Sequence, residues 1–133
     1  MKKLNVPLRI KTRDEIIDGK RVTEFADKNF ELDVTLNAQM RWEQKFPAQA
    51  EKEELIVYAQ RVEKHPLKLE SGVISSAALI AKMKVLYCYF NFDFPFSDFL
   101  AMFDLSLPEY TKTLIDQIKN AFEIINEAAS EKN

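Results

Sequence analysis

The side chains able to do chemistry are few and badly spaced for it. His65 is the only histidine and Cys88 the only cysteine. Structural zinc needs about four nitrogen or sulfur ligands, so His65 has no partners to share a metal with. It precedes Pro66 at the end of a helical pattern, where a capping or solvent-facing role suits it. No G-x-S-x-G nucleophile elbow accompanies it. Cys88 lies in the apolar run 85–90 and reads as a buried, inert thiol. A lone cysteine allows no intramolecular disulfide, which fits a reducing cytoplasm.

Carboxylates are plentiful but do not converge. Glu51, Glu53 and Glu54 read as the solvated start of a helix, where negative charge meets the positive end of the dipole. Asp93, Asp98 and Asp104 punctuate an aromatic stretch. Their spacing does not match a calcium loop, and the glycine such a loop needs is missing. They read as gatekeepers that keep a sticky segment soluble. With only Gly19 and Gly72 in 133 residues, no glycine-rich phosphate cradle is possible. The expectation is a protein that is not an enzyme, with no catalytic residue, no cofactor and no metal.

Charge and length narrow the class. Charged residues make up 30% of the chain, yet the formal net charge is only −2. That balance argues against nucleic acid or anionic membrane as a partner. The length suits one domain. Lys2 and Lys3 precede no apolar run, so no signal peptide is expected. The longest apolar run, 85–90, is far short of the roughly 20 residues that span a bilayer.

The elements follow from periodicity. Leu4, Val6, Leu8 and Ile10 alternate with polar residues and Pro7, which predicts an edge strand. Asp18-Gly19 is a turn signal, and Val22, Phe25, Phe30, Leu32 and Val34 supply further extended segments. Residues 1–34 thus read as an arm or β-hairpin. Thr35 is a plausible N-cap for a helix carrying Leu36, Met40, Trp42 and Phe46 and ended by Pro47. A second helix, 48–64, places Leu55, Tyr58, Ala59 and Val62 on one face.

The third helix, 71–90, is apolar nearly all round, so it must be covered on most sides. That predicts a central helix with more apolar surface than a chain of this size easily hides, which argues for self-association. Ser97 reads as the cap of a short helix carrying Phe99, Leu100 and Phe103. Ser106, Pro108 and Glu109 form a capping box for the last helix, with Leu114, Ile118, Ala121, Phe122 and Ile125 on one face. The expected fold is mainly α: a single domain of about four to five helices, with an arm at 1–34, a helical core at 35–128 and a frayed tail at 129–133.

Six of the ten phenylalanines lie between 90 and 103. They suit two readings: rings that close the core over the central helix, or an apolar strip for a partner. Base stacking is disfavoured, because Asp93 and Asp98 rather than basic residues lie between them.

The segment 30–47, above all Arg41-Trp42-Glu43-Gln44-Lys45-Phe46-Pro47, resembles the tail assembly chaperones of long-tailed bacteriophages, especially those of phages of Gram-positive hosts such as lactococci. In that family an extended opening leads into a helix with a pattern like R-[WY]-E-x-x-F-P, followed by a small helical domain. The resemblance implies a protein that self-associates into rings or spirals and coats the tape measure protein. It keeps that client soluble until tube protein polymerises, and is then shed. It implies residence in the host cytoplasm and absence from the mature virion. In many members a frameshifted longer form recruits tail tube protein.

On this reading Leu4, Val6, Leu8 and Ile10 of the arm, with Trp42 and Phe46, are candidates for the subunit contact. Phe92, Phe94, Phe96, Phe99 and Phe103 are candidates for the client surface. Two other readings stand beside it: a structural or connector-like component that stays in the particle, and an enzyme with an unrecognised site.

Overall fold

In the computed structural model, residues 4–91 and 93–131 are described. They form β1 (Leu4–Ile17), β2 (Lys20–Leu32), α1 (Leu36–Lys45), α2 (Pro47–Ala50), α3 (Leu55–Glu63), α4 (Ser76–Tyr89), α5 (Phe96–Leu100) and α6 (Pro108–Glu131). The fold is mixed, 51% helical and 24% strand, and this overturns the expected mainly α bundle. The difference lies in the arm. It is one long antiparallel hairpin, 14 residues pairing with 13, not a minor appendage.

The hairpin follows from its turn and its alternation. Asp18 and Gly19 both have positive φ, as a two-residue hairpin turn requires, and these are residue types that tolerate it. Val6 and Leu8, opposite Phe30 and Lys28, send their side chains into the core. The Arg9 backbone points outward, its N–H donating to Gln117 Oε1 at 2.6 Å and its C=O accepting from the Tyr110 hydroxyl at 2.7 Å. Pro7, two residues earlier on the same strand, therefore turns its missing N–H to that outer edge, where no ladder bond is lost. The register shifts between Lys11 and Arg13, and residues 12–20 are exposed.

Tertiary hydrogen bonds move several helix boundaries. Thr35 caps α1 as expected, its hydroxyl accepting from the Asn37 N–H at 3.2 Å. The single helix expected over 48–64 is instead two, α2 and α3, separated by residues 51–54. Two side chains of α1 hold that break open. Trp42 Nε1 donates to the Glu53 carbonyl at 3.0 Å, and Gln39 Oε1 accepts from the Leu55 N–H at 2.9 Å. Gln39 thus supplies the cap that Glu54 does not. Glu51, Glu53 and Glu54 accordingly lie in the connection, not in a first helical turn.

The helix expected over 71–90 begins only at Ser76. Gly72 has φ +86°, and Lys68 bridges Ile74, so residues 68–74 form a tight turn. Ser75 is the cap, its hydroxyl accepting from the Ala78 N–H at 3.2 Å. α5 is capped at Pro95, not Ser97, and ends before Phe103. Ser106 does not cap α6. Its N–H and hydroxyl both donate to Asp104 Oδ1, at 2.9 and 2.6 Å, which forms an Asx turn. Pro108 does take the first helical position, and Thr111 N–H closes the first turn on the Leu107 carbonyl at 3.0 Å. α6 runs through Glu131, so the fraying expected from 129 is not seen up to that residue. The rest of that expectation falls on residues 132 and 133, outside the described residues.

The core sits where α4 passes between the hairpin and the other helices. Residues 85–90 are all buried within this one chain. The expected excess of apolar surface on the central helix is thus largely absorbed. α1, α3 and α5 pack on α4, β2 meets its C-terminal end where Leu32 bridges Phe90, and only the beginning of α4, with Ser76, Ala77 and Ile80, stays exposed.

Candidate functional site

The aromatic residues form a connected network. Trp42 lies 4.8 Å from Tyr58 and 5.6 Å from Phe46, ring centre to ring centre. Phe46 meets Phe96 edge-on at 5.2 Å and Tyr87 at 6.3 Å. Phe99 is the hub, touching Phe30, Tyr87, Phe90, Phe96 and Phe103. These offset and edge-on pairs are the arrangements that ring quadrupoles favour.

The network sorts the candidate residues. Phe99 is fully buried, so it anchors the core and offers no surface. Phe94 and Phe96 are half-buried and packed against the core. The Phe94 carbonyl also accepts from the Tyr87 hydroxyl. Phe103 is half-buried, and Phe92 lies outside the described residues. Val6, Leu8 and Trp42 are fully buried, which removes them as a subunit contact in this fold. Ile10 and Phe46 are half-buried, and Leu4 is exposed. The exposed apolar pair on the hairpin is Ile16 and Ile17, beside the turn.

One open cleft is lined without any ionisable side chain. It has a volume of about 220 Å³ and is lined by Ser76, Leu79, Ile80, Met83, Leu100, Phe103 and Leu105. None of these is ionisable. α4 contributes Leu79, Ile80 and Met83 at i, i+1 and i+4, and α5 with its following loop forms the opposite wall. Of the four described phenylalanines among those singled out in sequence, the cleft contains Phe103. Ile80 and Leu105 were missed, because nothing in a uniformly apolar helix marks which face stays open. Such a cleft can hold an apolar side chain of a partner; its one polar side chain, Ser76, has no ionisable neighbour in the lining.

The titratable groups do not converge there. Cys88 is fully buried, and burial pushes its thiol up to about 12. His65 is exposed at the end of α3. Asp104 lies below the ordinary carboxylate value, held by hydrogen bonds from Ser106 and then by Arg21. Among the described residues no group of three or more His, Cys, Asp or Glu is placed to hold a metal. No helix among them is long and apolar enough to cross a membrane. No known protein family, curated protein or solved structure matches this chain.

Proposed function

We propose that this chain is a phage tail assembly chaperone, which self-associates and keeps the tape measure protein soluble until the tail tube forms around it. The observation that carries the reading is the open cleft of Leu79, Ile80, Met83, Leu100, Phe103 and Leu105, apolar and free of ionisable groups. A client of that kind presents apolar side chains at helical spacing, and a cleft of this chemistry suits them. The Arg41–Pro47 motif supports the reading from the sequence side. Its Trp42 and Pro47 set the α1–α2 corner, so the motif has a structural reason to be there. Self-association falls to the outer half of the hairpin, where Ile16 and Ile17 are exposed and the strands leave unpaired edges.

Co-expression with a tape measure protein tests this directly. The expected result is a soluble co-purifying complex and, for the chain alone, a mass by light scattering that rises with concentration. A strict monomer that leaves tape measure protein insoluble overturns the proposal. Retention of the chain in purified virions makes it a structural component instead.

A further inference from the structure

A second cavity, of about 270 Å³, lies between the end of α3 and the middle of α6. Leu67, Ile118 and Phe122 form its apolar walls, and Lys82 from α4 reaches into its lining. Lys82 is only 5% exposed. Its ammonium donates to the Val62 carbonyl at 2.8 Å and the Glu63 carbonyl at 3.0 Å, the last two residues of α3. An ammonium carries three N–H groups. Among the described residues no third oxygen accepts from it, and its remaining neighbour is the Phe122 ring, with Nζ 5.2 Å from the ring centre. Burial, and the charge of Lys119, hold Lys82 below the ordinary lysine value against the pull of Glu63.

Lys64, His65 and Lys119 also line this cavity. None of their side chains has a hydrogen-bond or ion-pair partner among the described residues. The contrast with the arginines is sharp. Arg9, Arg13, Arg21, Arg41 and Arg61 are each in an ion pair. Two carboxylates, Glu63 and Glu123, share the lining, and that of Glu63 is engaged by Asn126 Nδ2.

We infer that this cavity binds a carboxylate carried on a compact apolar body. The negative group meets Lys64 and Lys119, and the apolar part lies against Leu67, Ile118 and Phe122. A single negative charge suits a lining of three lysines and two glutamates. A dianionic phosphate would face the like charges of Glu63 and Glu123 at close range. The volume fits one side chain or a small acid, below the range of drug-sized pockets. The carboxylate belongs either to a free small acid or to an acidic residue of a protein segment. The inference does not depend on the chaperone reading.

Titration followed by backbone amide NMR tests it, with 4-phenylbutyrate, its neutral amide 4-phenylbutyramide, and a blocked Leu-Glu-Leu peptide as probes. The acid should shift Leu67, Ile118 and Phe122 saturably, and the amide should bind about tenfold more weakly. Lys64→Ala with Lys119→Ala, both at exposed positions, should weaken the acid by a similar factor while leaving the circular dichroism unchanged. Binding of the peptide assigns the carboxylate to a protein segment; binding of the free acid alone assigns it to a small molecule. Equal binding of acid and amide, or no shift at these residues with either acidic probe, overturns the inference.

Discussion

Arg21 reaches across 83 positions of sequence to Asp104, with Nη2 2.6 Å from Oδ2. The same guanidinium holds Asp14 on the neighbouring strand at 2.9 and 3.0 Å. Nearby, the Lys11 N–H donates to the Met102 carbonyl at 2.7 Å. Together these contacts fasten the hairpin to the loop between α5 and α6. That loop also forms one wall of the apolar cleft, through Phe103 and Leu105. The hairpin therefore braces the cleft from outside.

Asp104→Asn should loosen this brace without unfolding the protein. Amide exchange in the strands around Arg21 and Thr23 is expected to rise by about tenfold. The thermal midpoint should move by no more than about 3 °C, since Arg21 is about half exposed and solvent screens the pair. Exchange measured by mass spectrometry checks both the site and the size of the effect. An equal rise across α4 would mean that Asp104 holds the whole core.

Acid should release the same region. Asp14, Asp27 and Asp104 all lie below the ordinary carboxylate value, held chiefly by Arg21, Arg9 and Ser106 respectively. A carboxylate with a depressed folded pKa contributes stability that is fully present above its unfolded value, about 3.9. That stability is lost as pH falls through the folded value. Stability should therefore be flat from about pH 7 to 5 and decline below about pH 4. Urea unfolding at stepped pH reads this, and a decline that begins well above pH 5 would need another titrating group.

Trp42 is the only tryptophan and is fully buried, with Nε1 bonded to the Glu53 carbonyl. Trp42→Phe removes that bond and part of a packed ring. The expected loss is about 2 kcal/mol, from an unsatisfied carbonyl plus a small void. Urea unfolding followed by circular dichroism measures it. The loss should be accompanied by faster amide exchange over residues 51–54, because Trp42 holds that connection open.

Phe99 and Ile80 separate core from cleft. Phe99→Ala removes the hub of the ring network and should cost about 3–5 kcal/mol. Ile80→Asp, at a 41% exposed position on the cleft, should cost under about 1 kcal/mol. Under the proposed function it should still abolish solubilisation of tape measure protein. A folded Ile80→Asp variant that keeps full client binding would move the client surface elsewhere.

Local signals carried well where a residue's conformational needs are its own. Asp18-Gly19 demanded a tight turn, and the alternation from Leu4 to Ile10 demanded a strand with one buried face. Thr35 capped α1, Pro47 ended it, and Pro108 opened α6. The stripe of Leu114, Ile118, Ala121, Phe122 and Ile125 is fully buried, as its helical spacing required. Boundaries failed where a distant side chain supplied a hydrogen bond. Gln39 and Trp42 split the helix expected over 48–64. Asp104 took Ser106 away from its expected role as a cap.

By itself, then, the sequence determined the hairpin turn, the buried faces of α3 and α6 and the burial of Cys88, because these depend on neighbours within a few positions; Leu36 and Met40, expected on one face of α1 with Trp42 and Phe46, are instead exposed. Only the tertiary structure decided that the arm is a full partner in the fold and that α4 is buried by its own chain. It also decided which apolar residues stay open. Leu79, Ile80 and Met83 look alike in sequence; their exposure depends on where α5 and its loop come to rest. The gathering of Lys64, His65, Lys82 and Lys119 around one cavity depends likewise on α3, α4 and α6 meeting, which no local pattern encodes.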